Sequence, residues 1–134
     1  MMVLSNSVGQ TIAPNGEVIF DRILFKASCC NVTKHGNGPV RINARGPYRV
    51  EFHGNVEVAA GDETILAITN DGAILPETTM DVAAPAEVTA NISAATIVGK
   101  FCKCEGSTTI AVRNIGTDDV TLSPNAVLIV EEVR

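Results

Sequence analysis

Four cysteines in two tight pairs, Cys29-Cys30 and Cys102-Lys103-Cys104, are the side chains of this sequence best suited to chemistry. As thiolates they could ligate zinc, and in pairs they could form disulfides. Vicinal cysteines bridge one another with difficulty. Each pair could meet the other, however, if the segment after the first strand lies beside the segment after Phe101. Four thiols with His35 could also satisfy zinc, although neither C-x2-C spacing nor a histidine pair is present. Three states of Cys29, Cys30, Cys102 and Cys104 therefore stay open: free thiols, one or two cross-strand disulfides, or a metal site.

The chain has two histidines, His35 in a glycine-rich loop and His53 near the end of a strand-like run. His53 follows Glu51 by two positions, so in a strand both point to the same face and could pair. A catalytic base also needs a nucleophile or a substrate carbonyl within reach, and no G-x-S-x-G elbow accompanies either histidine. Gly36-Asn37-Gly38 lacks the Lys-Ser/Thr and the following helix of a phosphate loop. The acidic pairs Asp62-Glu63, Asp118-Asp119 and Glu131-Glu132 could offer oxygen ligands to calcium. Adjacent strand residues point opposite ways, which makes Glu131-Glu132 a poor chelate, and Asp118-Asp119 reads first as a turn. The expectation is a chain that is not an enzyme, with no catalytic residue, no cofactor and no resident metal.

Composition narrows the partners. The net charge of −5 arises in the second half, where residues 68–134 carry four basic and nine acidic groups, against six of each in residues 1–67. Phosphate neutralisation requires clustered Lys and Arg, so nucleic acid is not an expected partner. The first 14 residues do not combine a basic start, an apolar run and a small-residue cleavage site, so no signal peptide is expected. No apolar run approaches the roughly 20 residues of a membrane helix, and no membrane insertion is expected.

These residues must be carried by strands. Val, Ile and Thr supply 40 of the 134 residues, a composition that favours sheet over helix. Residues 38–53 show two alternating runs pivoting on Gly46-Pro47, with Val40 and Ile42, then Tyr48, Val50 and Phe52, on single faces. Further strand-like runs cover 18–25, 64–69, 88–101, 108–115 and 120–133, separated by Gly, Pro, Asn and Asp turn signals. The Ala-rich stretch 82–98 could take a helical turn, but Thr89, Asn91, Ser93 and Thr96 interleave with Ala, Val and Ile as a strand would have it. Residues 73–89, with Pro76 and Pro85, read as a long crossover or loop. The pattern predicts an N-terminal arm or first edge strand over 1–15 and one domain over 16–134, an all-β jelly-roll β-sandwich of two antiparallel sheets. The runs 64–68 and 126–130 are apolar at both parities, which implies cover on both faces. A second sheet covers one face; the other needs a neighbouring subunit or loops of the same chain.

In this order the strands resemble the globular head of the C1q and tumour-necrosis-factor superfamily. Phe20-Asp-Arg-Ile-Leu24-Phe25 stands at that family's first motif, Gly38-Pro-Val-Arg-Ile42 at the second and Gly46-Pro-Tyr48-Arg-Val50-Glu-Phe52-His53 at the third. Ile68-Thr-Asn70-Asp-Gly72 looks like the strand that ends in an Asn-Gly turn, and 108–115 with 120–133 supply the last strands. Val50 departs from the family's usual aromatic, and the aromatic-Gly-Leu ending is missing, so the likeness is to the pared-down C1q-like modules of bacteria and bacteriophages. The resemblance implies a homotrimer. Tyr48, Val50, Phe52, Leu128 and Val130 are then candidates for the trimer interface, with ordinary sandwich core as the other reading of the Tyr48 face. It further implies a noncatalytic structural or adhesion head on a virion or bacterial surface, assembled without secretion, or else a cytoplasmic protein. Partners would be its own copies, a capsid, tail or surface-anchor protein, and a glycan or receptor at the end loops. A lectin-like carbohydrate module is the alternative, disfavoured by scarce aromatics. A cupin-like metal enzyme fits less well, for want of two histidines and a carboxylate on neighbouring strands.

Overall fold

In the computed structural model, residues 1–27, 31–34, 36–44, 46–100 and 107–133 are described, Lys100 by its backbone alone. Cys29, Cys30, Cys102, Cys104 and His35 lie outside the described residues.

The long strand β6 (Gly46–Val58) organises the first sheet. Its inward residues Tyr48, Val50, Phe52, Gly54, Val56 and Val58 are all buried, while Arg49, Glu51, His53, Asn55 and Glu57 face outward. One edge of β6 pairs along its whole length with β10 (Val88–Lys100). The other edge is shared by β13 (Val127–Glu132) and β12 (Val120–Leu122). Beyond β13 come β1 (Met2–Ser5) and then β3 (Arg22–Lys26); beyond β12 comes β2 (Gln10–Ile12). This makes a seven-stranded sheet in which every pairing is antiparallel. The first 15 residues are thus part of the sandwich. β1 is flanked on both sides, with Met2 and Leu4 in the core, and β2 stands at one end of the row.

The second sheet runs β4 (Val32–Lys34), β5 (Val40–Ile42), β11 (Thr108–Asn114), β7 (Glu63–Asn70), with β8 (Ala73–Ile74) and β9 (Met80–Ala83) sharing the far edge of β7. A type I′ turn joins β7 to β8: Asp71 and Gly72 take φ of 52° and 84°, as such hairpins require. The expected loop over 73–89 therefore contains two short strands and a single 3-10 turn (Pro76–Thr78). These strands escape a periodicity reading because they are two and four residues long. The stretch 82–98 is strand from Val88 onward, not helix.

Between the sheets lies an aliphatic core with few rings. Phe20 and Phe52 meet edge to face, centroids 6.3 Å apart at 72°. Gly54 makes room for them: a Cβ there would come within 3.1 Å of Leu122 Cδ1 and 3.3 Å of both Ala126 Cβ and Phe52 Cζ. Buried Asn114 ties one end together, its Nδ2 donating to Ile12 O at 2.9 Å and Asp118 O at 2.8 Å while its Oδ1 accepts from Gly116 N–H at 3.0 Å. These bonds offset the desolvation of a buried amide.

The two apolar runs meet different fates. On β7, Ala67 and Thr69 point out of the sandwich yet are buried. Arg113 stands opposite Ala67 and its Nη2 donates to Gly72 O at 3.0 Å, so its side chain runs lengthwise over the Ala111–Thr69 pair. The chain roofs this face itself, with the stem of an arginine. On β13, Val127 and Ile129 stay only half-buried.

Candidate functional site

The outer face of the seven-stranded sheet gathers polar groups inside an apolar frame. The β-ladder places His53 between Val127 and Ser93, Glu51 between Ile129 and Ala95, and Arg49 between Glu131 and Ile97. Glu51 Oε1 is the hub. It lies 3.1 Å from His53 Nε2 and 3.3 Å from Arg49 Nη2, and Arg49 Nη1 is 4.0 Å from Glu131 Oε1. The side chains of Arg49 and His53 are 47% and 45% exposed, that of Glu51 only 22%. Exposed ion pairs of this kind contribute little to folding, about 0–1 kcal/mol. With neutral His53 the four groups sum to −1, and with protonated His53 to zero.

Around this cluster the face is apolar. Val3, Val127 and Ile129 are half-buried on one side, and Ile97 is 57% exposed on the other. β3 continues the patch through Phe25, which stands opposite Val3, and all five of its residues are exposed, Ile23, Leu24 and Phe25 at 46%, 51% and 53%. As the last strand of its row, β3 leaves an apolar edge open. Its start is pinned by Asp21, whose Oδ1 accepts from Ser7 N–H at 2.8 Å and whose Oδ2 accepts from the Ser7 hydroxyl. Those two bonds hold the Asp21 carboxyl below its ordinary range.

The expected interface residues lie on the inward face of the sheet. Tyr48, Val50, Phe52 and Leu128 are 0% exposed and Val130 is 1% exposed within a single chain. Leu128 pairs with Phe52 and Val130 with Val50, so all of them share the inward parity and pack against the second sheet. Tyr48 directs its hydroxyl to Ala44 O at 3.1 Å, at the end of the core. The ordinary-core reading of that face therefore describes the chain, and an interface on this sheet falls to the opposite parity. Glu51 and His53 do form the same-face pair that their spacing suggests. Ile97 was missed, although it is the one large apolar residue in the outward set Thr89, Asn91, Ser93, Ala95 and Ile97.

Among the acidic pairs, Asp118 Oδ2 accepts from Glu63 N–H at 3.0 Å, which ties the loop before β12 to the start of β7. Glu131 faces Arg49, whereas Glu132 Oε2 accepts from Asn31 Nδ2 at 3.4 Å, so the two carboxylates diverge. At one end of the sandwich Glu57, Asp62, Glu87 and Asp119 line a cleft. Among the described residues no three of His, Cys, Asp and Glu converge as metal ligands, and no helix is long and apolar enough to cross a membrane.

By sequence the chain matches no family model and no curated relative. By structure it is similar to the globular domain of zebrafish complement 1qA, with a TM-score of 0.74 at 11% identity over 99% of this chain and 96% of that one. It is similar also to murine APRIL, with a TM-score of 0.71 at 14% identity over 98% of each chain. A third likeness is to Eiger TNF from S. frugiperda, with a TM-score of 0.70 at 12% identity over 99% of this chain and 91% of that one. The fold is the C1q/TNF-like jelly roll.

Proposed function

We propose that this chain is a noncatalytic head module that works as a homotrimer, assembling through the outer face of the seven-stranded sheet and presenting its end loops to a partner. The observation that carries the reading is the apolar frame of that face. Val3, Val127 and Ile129 on one side and Ile97 on the other are left in water by a single chain whose inward parity is already sealed. The two patches lie on different parts of the sheet, so copies would meet head to tail, the β10 edge of one on the β1–β13 face of the next. Such heterologous contacts close into rings when the rotation allows. The C1q/TNF-like fold favours three copies. Fold alone does not assign function, but the open Arg49–Glu51–His53 cluster suits an interface better than an active site, since a base needs a nucleophile or substrate pocket beside it.

Partners other than its own copies would meet the loop ends, where the acidic cleft of Glu57, Asp62, Glu87 and Asp119 favours a cationic surface. Display on a virion or bacterial surface completes the reading. Sedimentation equilibrium tests it: the particle should have three times the 14.1 kDa chain mass, and Ile129→Lys or Ile97→Lys should reduce it to single chains that remain folded. A monomeric wild type would remove the reading, as would trimers indifferent to both substitutions.

A further inference from the structure

We infer that self-association through this face takes up protons at His53, so that the assembly tightens as pH falls through the imidazole range. The inference rests on the face being the subunit interface.

The groups facing His53 are few. On its own strand Glu51 contacts it, Arg49 lies beyond Glu51, and Glu57 is four positions further along the same face. From β13 the residue opposite is Val127, with Glu131 further along, beside Arg49. From β10 the residue opposite is Ser93, and the outward residues Thr89, Asn91, Ser93, Ala95 and Ile97 carry no charge. β1 contributes Val3, and the nearest cation of β3, Arg22, is engaged with Asn125 Oδ1 at 2.9 Å. Within the contact cluster the balance is therefore one arginine and two glutamates, Glu57 lying apart at the end cleft, with His53 deciding the sum.

In the single chain this imbalance costs little, because water and salt screen half-exposed groups. A second copy laid over Val127, Ile129 and Ile97 removes that water from the cluster as well. With His53 neutral, each interface would enclose one uncompensated negative charge, three in a trimer. With His53 protonated, each encloses two positive and two negative groups already in contact. A low-dielectric environment penalises the first arrangement far more than the second. Assembly therefore binds protons. By linkage the association constant is largest at acid pH and falls as pH rises through the imidazole range. One proton per subunit limits the fall to about tenfold per pH unit per subunit, or about 10³ per pH unit for three.

The experiment is subunit exchange between donor- and acceptor-labelled preparations, followed by energy transfer from pH 5.5 to 8.0, with sedimentation at each pH. Wild type should exchange at least about tenfold faster at pH 8.0 than at pH 5.5. His53→Gln keeps a donor toward Glu51 but cannot titrate, so its exchange rate should be flat, with His35 unchanged as the internal control. His53→Lys, charged throughout the range, should stay slow at pH 8.0. Exchange in wild type that ignores pH, or a pH dependence that survives in His53→Gln, overturns the inference while leaving the trimer standing. A chain that sediments as a monomer at every pH overturns the interface reading, and this inference with it.

Discussion

Phe52→Ala separates core from interface more sharply than any other single change. Phe52 is fully buried, meets Phe20 edge to face, and lies against Leu128 and the bare Cα of Gly54. Truncating a buried phenylalanine costs about 3–5 kcal/mol through lost transfer energy and the cavity left behind. The lost ring pair adds about 0.5–1.5 kcal/mol. Gly54 has no side chain to move into the void, Leu122 is held by its pairing with Val56, and Ala126 is held by its N–H donating to Asn6 Oδ1 at 2.8 Å, so the upper half of that range is expected. At 134 residues the whole domain is worth about 7–20 kcal/mol. With a urea slope of about 2 kcal/mol/M, the midpoint should fall by about 2 M. Phe52→Leu keeps most of the volume and should fall by roughly a third as much, so a folded comparison exists even if the alanine variant fails. The assay is urea unfolding at several protein concentrations, because an assembly's midpoint depends on concentration and a core defect's does not. If Phe52→Leu leaves the unfolding of dilute, dissociated chains unchanged but abolishes the trimer, then Phe52 belongs to an interface and the inward assignment is refuted.

Gly54→Ala should destabilise by about 1–3 kcal/mol, since Ala126 Cβ and Phe52 Cζ leave the new methyl 3.3 Å of room; an unchanged melting temperature would contradict the packing described. Asn114→Ala removes three hydrogen bonds, one of them to a buried carbonyl and two part-buried, for a loss of about 2–4 kcal/mol in denaturant unfolding. Because Asp21 is held below its usual range, its contribution is present above the ordinary aspartate value of 3.8 and is lost as pH falls through the lower folded value. Protection of the β3 amides, measured against the intrinsic exchange rate at each pH, should therefore fall at low pH in wild type, whereas Asp21→Asn should show the lower protection already at neutral pH. Phe25→Lys alters a half-exposed residue on the open β3 edge and should change unfolding by less than about 0.5 kcal/mol, while lowering any aggregation seen in light scattering.

A two-residue period is written in the side chains themselves, so the amino-acid sequence could determine that 38–53 forms two strands, that Tyr48, Val50 and Phe52 share a face, and that Glu51 and His53 share the other. It also determined the all-β sandwich, since β-branched residues and turn signals need no distant partner to be recognised. Parity, however, has no sign. Whether an apolar face looks at a second sheet or at a second copy depends on which strands lie across from it. Register placed Leu128 on Phe52 and Val130 on Val50, and the second sheet then enclosed them all. The same limit explains the two apolar runs, which look alike as strings. One is closed by Arg113 reaching to Gly72, while Val127 and Ile129 in the other stay open. It explains β3 as well: Ile23, Leu24 and Phe25 read as core in any composition count, and they are exposed because their strand ends the row. Periodicity settled which residues move together; only the tertiary arrangement decided which of them meet water, because burial belongs to what lies opposite a strand and not to the strand itself.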